Sequence, residues 1–333
     1  MLRATSGAEP LVVENLKVYY PLRRTLEDLL RGRRRYLRAV DGVSLRLAEK
    51  TTLALVGESG SGKTTIARAV VGLVEPTAGR ILLWGADLRT LEREELRKVR
   101  RLVQMVFQDP STSLNPRMKV GDQVKYPLDV NKLGPPEERR ERALEALELV
   151  GLKPAEDFYN RYPHQLSGGQ RQRVAIARAI VLRPRLLIAD EPIANVDVSA
   201  RAQILELLRE LKESMGLSMV YITHDLSSAW SIADSVVVMY LGKVVESGGV
   251  EEVFGEPLHP YTRALLHAVP AIGAEKAAAE AIKLKGEIPN PLEMPSGCRL
   301  HPRCPFATDK CRVEEPELRD VGRGRFVACH LYS

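Results

Sequence analysis

One stretch of the chain combines residue types and spacing that suit phosphate chemistry, namely Gly57-Glu58-Ser59-Gly60-Ser61-Gly62-Lys63-Thr64-Thr65. An apolar run at 53–56 precedes it, and a segment with helical character follows at 66–72. Glycines let a backbone wrap a polyphosphate with its N–H groups inward, and the following helix adds its positive dipole end. The stretch predicts a nucleoside triphosphate site, with Lys63 on the β- and γ-phosphates and the Thr64 hydroxyl on Mg²⁺.

Two acidic residues follow a second apolar run. Residues 186–189 lead directly into Asp190 and Glu191. In a phosphate-loop protein the first carboxylate belongs to the Mg²⁺ shell, and the second can polarise the attacking water as a general base. Because parallel α/β topology brings strand ends to one edge, the pair together with the glycine loop predicts a hydrolytic site.

A second glycine-containing helix start lies at Ser167-Gly168-Gly169-Gln170, ahead of the helical pattern at 174–179. It predicts either another phosphate-facing helix N-terminus or an ordinary Ser-Gly-Gly cap. One nucleotide does not need two cradles for its γ-phosphate from a single chain. This surplus predicts that the chain assembles with another subunit.

Composition and charge narrow the class of protein. The 333 residues are 44% hydrophobic and 28% charged, which is typical of a globular protein with ample material for a core. No apolar run approaches the ~18 residues of a membrane span, and the N-terminus lacks a signal-peptide h-region. We therefore expect an intracellular chain that reaches a membrane only through a partner. The net charge of +6 is too mild to indicate nucleic acid binding.

The order of apolar runs and helical patterns predicts an α/β core. Strands are expected at 11–20, 80–85, 101–107, 186–189 and 219–222, a hairpin at 235–241 and 243–246, and helices at 137–150 and 199–215. The region from about 108 to 180 is predicted to be a helical insertion, and an Ala/Glu/Lys helix is expected around 272–285. The arginine-rich segment 23–38 is either a solvated insertion or a lobe near anionic lipid headgroups.

Taken in order, these motifs resemble the nucleotide-binding subunit of an ABC transporter over roughly residues 10–250. The matching positions are Walker A at 57–64, the Q-loop residue Gln108, the signature at 166–170, Walker B at 186–190 with Glu191, the D-loop near Asp197, and the switch residue His224. The resemblance implies a P-loop NTPase cassette with a RecA-like parallel sheet, N-terminal antiparallel strands and an inserted helical subdomain at about 108–180. The implied domains are an ATP-binding domain at 10–254 and a small C-terminal extension at 255–333.

The resemblance also implies roles for individual residues. Two subunits would dimerise head to tail and bury ATP between one Walker A loop and the opposing signature at 167–170. Glu191 would be the base, His224 would contact the γ-phosphate, and Gln108 would link the water and Mg²⁺ to the membrane subunits. The Mg²⁺ ligands would be Thr64, Gln108 and Asp190. Tyr20 is the candidate for stacking on adenine, with Tyr19 and Tyr36 as rivals.

Segments outside the catalytic motifs resemble the oligopeptide/dipeptide branch of that family. They are Phe107–Pro110, Ser113–Met118, Tyr162–Gln165, and the tail from Pro257 to Thr262 that precedes the cysteines. The resemblance implies a peripheral ATPase on the cytoplasmic face of the membrane that powers import of oligopeptides or dipeptides. Its partners would be two transmembrane permease subunits and, indirectly, an extracytoplasmic solute-binding protein. Nickel and oligosaccharides, which related systems carry, stay open as alternatives.

The D-loop departs from the family pattern. The family usually has Ser-Ala-Leu-Asp, whereas this chain has Ala194-Asn195-Val196-Asp197. The aspartate is kept, but its neighbours differ, so contacts across a dimer interface would differ too. This departure favours a heterodimer with a paralogous ATPase subunit and leaves a homodimer open.

Four cysteines occur, at 298, 304, 311 and 329, so all lie in the C-terminal extension. Their spacing lacks the paired C-x₂-C of a zinc ribbon and differs from the tight ferredoxin run. Soft thiolate ligands on one short segment can still enclose iron–sulfur or zinc. The resemblance to the peptide branch favours a structural [4Fe-4S] cluster held by Cys298, Cys304, Cys311 and Cys329. Zinc is the second alternative, and two disulfides are the third.

Two other functional classes fit the sequence less well. A soluble ABC protein of translation or DNA repair would carry two cassettes or a long coiled-coil insertion, and neither is present. A regulatory module that does not hydrolyse ATP would lack Glu191 or His224, and both are present. The sequence therefore predicts an ATPase coupled to transport.

Overall fold

The protein has an α/β fold, seen here in a computed structural model that describes residues 8–22, 34–267 and 282–332. The strands are β1 (Leu11–Pro21), β2 (Tyr36–Leu47), β3 (Thr52–Val56), β4 (Ala78–Leu83), β5 (Ala86–Asp87), β6 (Val103–Val106), β7 (Leu186–Asp190), β8 (Ser218–Thr223), β9 (Ser235–Tyr240), β10 (Lys243–Gly249), β11 (Arg319–Asp320) and β12 (Phe326–Val327). Two short 3₁₀ turns lie at Pro163–Gln165 and His330–Tyr332.

The helices vary from single turns to five turns. They are α1 (Lys63–Val70), α2 (Arg93–Leu102), α3 (Pro110–Ser113), α4 (Val120–Asn131), α5 (Pro136–Leu149), α6 (Ala155–Tyr159), α7 (Gly168–Ile180), α8 (Val198–Met215), α9 (Leu226–Ile232), α10 (Val250–Gly255), α11 (Pro260–His267) and α12 (Asp309–Val313). Among the described residues, no helix combines the length and the apolar character that a bilayer span requires.

The described residues form two compact units, which we treat separately. The loop unit contains the glycine-rich loop and consists of the described residues within 8–47, 52–90 and 223–332. The signature unit contains the Ser-Gly-Gly helix start and consists of residues 48–51 and 91–222. The predicted boundary near residue 255 is a different division of the chain, and it stays a prediction.

The loop unit contains an antiparallel sheet in the order β2-β1-β4-β5. Strand β2 forms because apolar residues alternate along it, so that Val43, Leu45 and Leu47 are buried while their neighbours face outward. It pairs with β1 over most of its length. This strand was not predicted from the sequence, because residues 23–38 were interpreted as one basic segment. Part of that segment, 23–33, lies outside the described residues.

The same unit contains the strand that leads into the glycine loop. Strand β3 pairs in parallel with β9, which forms the predicted hairpin with β10. The cysteine-containing tail extends this arrangement, because β12 pairs with β10 and β11 pairs with β12. The Ala/Glu/Lys helix expected around 272–285 falls mostly on residues 268–281, which lie outside the described part of the chain.

The signature unit contains three parallel strands in the order β6-β7-β8. All five residues of β7 are buried, as expected for a parallel strand covered on both faces. Helices α4, α5 and α7 pack against one another, and Ala143, Ala146 and Leu147 are the buried residues of α5. Strand β6 begins at Val103 rather than at Arg101, because α2 continues through Leu102.

Candidate functional site

The glycine loop connects the buried end of β3 at Val56 to the first residue of α1. Gly57 has φ of +146° and Gly62 has φ of +104°, both in the region that favours glycine. A Cβ at Gly57 would lie 2.2 Å from the Met239 carbonyl oxygen, and one at Gly62 would lie 2.3 Å from the Ala39 carbonyl oxygen. Only glycine fits these two positions, so the loop has the tight backbone that phosphate wrapping requires.

Lys63 starts α1 and is held inside its own loop. The side chain is 4% exposed, and Nζ donates to the carbonyl oxygens of Gly57 at 2.7 Å and Glu58 at 3.0 Å. It also approaches Ser61 Oγ at 3.3 Å. Of the other predicted ATP-binding residues, Ser59 and Gly60 are exposed, while Glu58, Thr64 and Thr65 are half-buried. The loop therefore fixes an ammonium group among backbone carbonyls, in a site of the kind that binds phosphates.

His224 and the three candidate tyrosines also lie in the loop unit. His224 is exposed, and Asp225 beside it caps α9 by accepting from the backbone of Ser227 at 3.0 Å. The Tyr19 hydroxyl donates to Asp41, and burial followed by this hydrogen bond raises the pKa of Tyr19 to about 12. The assignment of Tyr20, over Tyr19 and Tyr36, as the residue that stacks on adenine stays a prediction.

In the signature unit the structure brings Gln108 and Glu191 together. Gln108 Nε2 donates to Glu191 Oε2 at 3.1 Å, and Asn195 Nδ2 donates to the Gln108 carbonyl oxygen at 3.3 Å. Glu191 follows β7 with φ of +46°, and its N–H donates to the Ile222 carbonyl oxygen at 2.9 Å. A left-handed backbone at a non-glycine residue costs free energy and tends to occur at functional sites. Asp190, just before it, is 2% exposed.

The Ser-Gly-Gly segment is a well-formed helix N-terminus. Ser167 Oγ accepts from the Gln170 N–H at 3.2 Å, and Gln170 Oε1 accepts from the Ser167 N–H at 3.0 Å, which completes a capping box. Neither Gly168 nor Gly169 has a positive φ. A Cβ at Gly168 would make an ordinary 3.4 Å contact with the Asn195 carbonyl oxygen. Backbone strain in this chain therefore does not explain the first glycine of the pair.

Asp197 has a structural role within the chain. It is exposed and caps α8, accepting from Ser199 Oγ at 2.6 Å and from the Ala200 N–H at 2.9 Å. These two hydrogen bonds lower its pKa. The role of this residue in a D-loop contact stays a prediction.

The four cysteines are free thiols that line one cavity of about 50 Å³. His301 and His330 also line that cavity. Burial raises the pKa of the Cys298 thiol to about 11. Within 8–22, 34–267 and 282–332, no group of three or more His, Cys, Asp or Glu side chains is arranged to hold a single metal ion. The thiols share one space, but the described residues do not form a preset site for one zinc ion.

Two residues outside the predicted nucleotide-binding motifs contact the glycine loop. Tyr261 accepts a hydrogen bond from the Glu58 N–H, and Arg303 donates to the Glu58 carboxylate. Neither belongs to a local sequence pattern that indicates a nucleotide site. Because 203 and 245 residues separate them from Glu58, sequence spacing could not have identified them.

Comparison with known proteins gives two family matches. Residues 40–194 match the family described as ABC transporter, and residues 245–311 match the family described as Oligopeptide/dipeptide transporter, C-terminal region. The Di/tripeptide transport ATP-binding protein DppF of Pseudomonas aeruginosa is 49% identical over 294 residues, which are 88% of this chain and 90% of that protein. The Oligopeptide transport ATP-binding protein AppF of Bacillus subtilis is 47% identical over 325 residues, which are 97% of each.

Solved structures show the same fold. The dimeric ATP-binding cassette MJ0796, in a post-hydrolysis state with ADP and phosphate, has a TM-score of 0.62 at 32% identity, covering 72% of this chain and 98% of that one. CbiO1 of Clostridium perfringens, part of the ABC transporter complex CbiONQ, has a TM-score of 0.63 at 30% identity, covering 81% and 99%. The predicted cassette fold is confirmed.

Proposed function

Because the chain belongs to the family of ATP-binding subunits of peptide ABC transporters, we propose that it hydrolyses ATP to power the import of oligopeptides or dipeptides. The observation that carries the hydrolytic part of the proposal is the hydrogen bond from Gln108 to Glu191. Glu191 directly follows the buried strand β7. The names of the similar proteins favour peptides over nickel or oligosaccharides as the solute.

The glycine loop binds the phosphates of ATP in this proposal. Gly57 and Gly62 keep the backbone close enough to wrap the polyphosphate, and the N-terminus of α1 adds its N–H groups and positive dipole end. Lys63 provides a buried positive charge for the β- and γ-phosphates. Tyr20 stacks on adenine.

Mg²⁺ would be held by Thr64, Gln108 and Asp190. This donor set fits the ion, since a hydroxyl, an amide oxygen and a carboxylate are all hard oxygen ligands. The ion neutralises charge that develops on the transferred phosphoryl group. Asp190 suits this task because it is buried at the end of β7, and this position fixes the direction of its carboxylate.

Hydrolysis needs a base for the attacking water, and we assign this role to Glu191. The Gln108 amide donates to Oε2 of Glu191 and orients its carboxylate, which accepts the water proton. His224 contacts the γ-phosphate. Ser167–Gln170 close over the ATP of an opposing subunit. In support, this helix N-terminus is capped and Ser167 is exposed.

The partners follow from the family. The chain acts in a head-to-tail dimer with a paralogous ATPase subunit or with a second copy, and Asp197 lies at that interface. The dimer docks on two transmembrane permease subunits at the cytoplasmic face of the membrane, and an extracytoplasmic protein delivers the solute. The chain itself is a peripheral subunit.

We also propose that Cys298, Cys304, Cys311 and Cys329 hold a [4Fe-4S] cluster with a structural role, with zinc as the alternative. The supporting observation is that all four thiols are free and line one cavity. A bound cluster would cross-link the segment through these four thiolates. Anaerobic purification followed by iron, sulfide and zinc analysis distinguishes the two metals.

The test of the hydrolytic role is Glu191→Gln. The substitution keeps the shape and the hydrogen-bonding capacity of the side chain but removes the base, so turnover should fall by at least about 100-fold. ATP binding should be retained, and the ATP-bound dimer should accumulate because it no longer resolves. Steady-state phosphate release and light scattering after size exclusion measure the two effects.

Glu210→Gln, an exposed change on α8, is the matched control and should behave as the unmodified chain does. Uptake of a labelled dipeptide by vesicles that contain the complete transporter tests the solute. A Glu191→Gln variant with full turnover would contradict the assignment, and an ATP-dependent complex that excludes a permease would contradict the transport role.

A further inference from the structure

Two residues of the C-terminal region, Tyr261 and Arg303, form hydrogen bonds with the same residue of the glycine loop, Glu58. The Glu58 N–H donates to the Tyr261 hydroxyl oxygen at 2.8 Å. Its carboxylate receives two bonds from Arg303, from Nη1 to Oε2 at 2.9 Å and from Nη2 to Oε1 at 3.3 Å. Both the backbone and the side chain of this loop residue are therefore fixed by the tail of the chain.

Arg303 is itself held firmly. It is 8% exposed, and its Nη1 lies 3.4 Å from the Tyr240 hydroxyl. The Arg303 carbonyl oxygen accepts from the Lys285 N–H at 2.9 Å. Burial alone would lower the pKa of Arg303, but the hydrogen bonds with Glu58 and Tyr240 raise it. The guanidinium is thus a fixed positive charge directed at the loop.

Tyr261 is equally constrained. Its side chain is fully buried, and its ring lies 4.7 Å from that of Tyr240, measured between centroids. Both rings belong to one apolar cluster with Val56, which ends β3, and with Leu300 from the tail. A shift of the tail would therefore disturb the same core that supports the start of the loop.

The charge at Glu58 makes these contacts relevant to nucleotide binding. A carboxylate in a loop that wraps a polyphosphate repels the ligand, and its bidentate pairing with an arginine neutralises that repulsion. Without its pairing to Arg303, the Glu58 carboxylate would also be able to turn toward the Lys63 ammonium. It would then compete with the phosphates for that positive charge. We propose that Arg303 and Tyr261 are positioning residues for ATP binding, acting through Glu58.

This inference rests on the proposed function, since it assigns residues to the same ATP site. It predicts that Arg303→Gln raises the dissociation constant for MgATPγS about tenfold, the effect expected when a charge-assisted pair is lost and its carboxylate remains. The KM for ATP should rise with it, while kcat changes much less. Arg303→Lys keeps the charge but loses the two-pronged guanidinium. Its dissociation constant should therefore lie between those of the unmodified chain and of Arg303→Gln.

Arg325→Gln is the matched control. Arg325 also pairs with a buried carboxylate, donating to Glu246 at 2.7 Å, but among the described contacts none joins it directly to the loop. Its loss should lower the melting temperature at least as much as the loss of Arg303 and leave the dissociation constant within about twofold. Stability and nucleotide affinity are thereby separated.

A double-mutant cycle tests the route through Glu58. In the Glu58→Gln background, Arg303→Gln should change the dissociation constant less than about twofold, because no carboxylate remains to be neutralised. Tyr261→Phe should weaken binding severalfold through the unpaired Glu58 N–H, whereas Tyr332→Phe, which removes a tail hydroxyl bonded to the Leu258 carbonyl oxygen, should not.

The measurements are titrations of the full chain with MgATPγS by fluorescence, each with a melting curve. If the unmodified chain fails to bind MgATPγS, the proposed function is wrong. If it binds and Arg303→Gln binds equally well, or if Arg303→Gln and Arg325→Gln weaken binding to the same extent, the proposed function stands and this inference is overturned. Arg303→Lys gives the same answer should Arg303→Gln lose its fold.

Discussion

The two glycine-bearing helix starts that the sequence singled out, before α1 and before α7, differ in their constraints. At the loop before α1, Gly57 and Gly62 have positive φ and lie against backbone carbonyls at distances that exclude a Cβ. At the start of α7, Gly168 has no positive φ and has room for a Cβ, and Ser167 forms an ordinary capping box. The first site needs its glycines in order to fold, whereas the fold does not account for Gly168.

This difference indicates where each site meets its ligand. The loop encloses its lysine and is complete as a phosphate cradle within its own unit. At the signature segment Gly168 is half-exposed and has room for a Cβ, so this glycine is better explained by a ligand that approaches from outside the chain. Gly169 differs, because it is buried and a Cβ there would lie 3.1 Å from the Ala200 Cβ. An ATP molecule bound to another subunit fits that description.

The largest difference between the two helix starts is expected when the same substitution is made at each, Gly57→Ala and Gly168→Ala. A methyl group at Gly57 meets the Met239 carbonyl oxygen and a disfavoured φ, so we expect a loss of about 2–4 kcal/mol in the free energy of unfolding and loss of ATP binding. The same methyl group at Gly168 should change the free energy of unfolding by less than about 0.5 kcal/mol. Urea unfolding measures both.

Similar losses of stability in the two variants would break the comparison. That result would mean that the backbone at Gly168 is as constrained as the backbone at Gly57, and that the fold itself requires glycine at position 168. A melting curve with and without MgATP is the control for indirect effects, since ligand binding stabilises only a variant that still binds.

The second prediction concerns charge at the start of α7. Gly168→Asp places a carboxylate where the helix N-terminus would meet the γ-phosphate of the opposing ATP, so turnover should fall on the order of 100-fold. Binding of MgATPγS to the isolated chain should stay within about twofold, since the loop is unchanged. Equal loss of turnover and binding would mean that the signature serves the nucleotide of its own chain.

How much of the structure could be predicted from the sequence depends on how far apart in the chain the interacting residues lie. The loop at 57–65 and the pair after β7 could be identified because strand, glycine and carboxylate are neighbours in the chain. The capping box at Ser167 is equally local. The strand Tyr36–Leu47 was missed because the adjacent run of arginines hid its alternating pattern. Its pairing with β1 decides its structure, and local sequence did not indicate that pairing.

The contacts of Arg303 and Tyr261 could not be predicted at all. Each residue is ordinary in its local context, and its meaning depends on a partner more than 200 residues away. Long-range packing determines these contacts. The convergence of the four cysteines, in contrast, was expected from the resemblance to the peptide branch, and all four thiols line one cavity.

The most direct measurement of the central claim mixes two inactive variants, Lys63→Ala and Gly168→Asp, under conditions in which the unmodified chain turns over ATP. A mixed dimer pairs the intact loop of one variant with the intact signature of the other. We predict that the mixture regains ATP hydrolysis that neither variant has alone. A mixture that stays inactive, although light scattering shows that mixed dimers form, would contradict the claim that the signature acts on the ATP of another subunit.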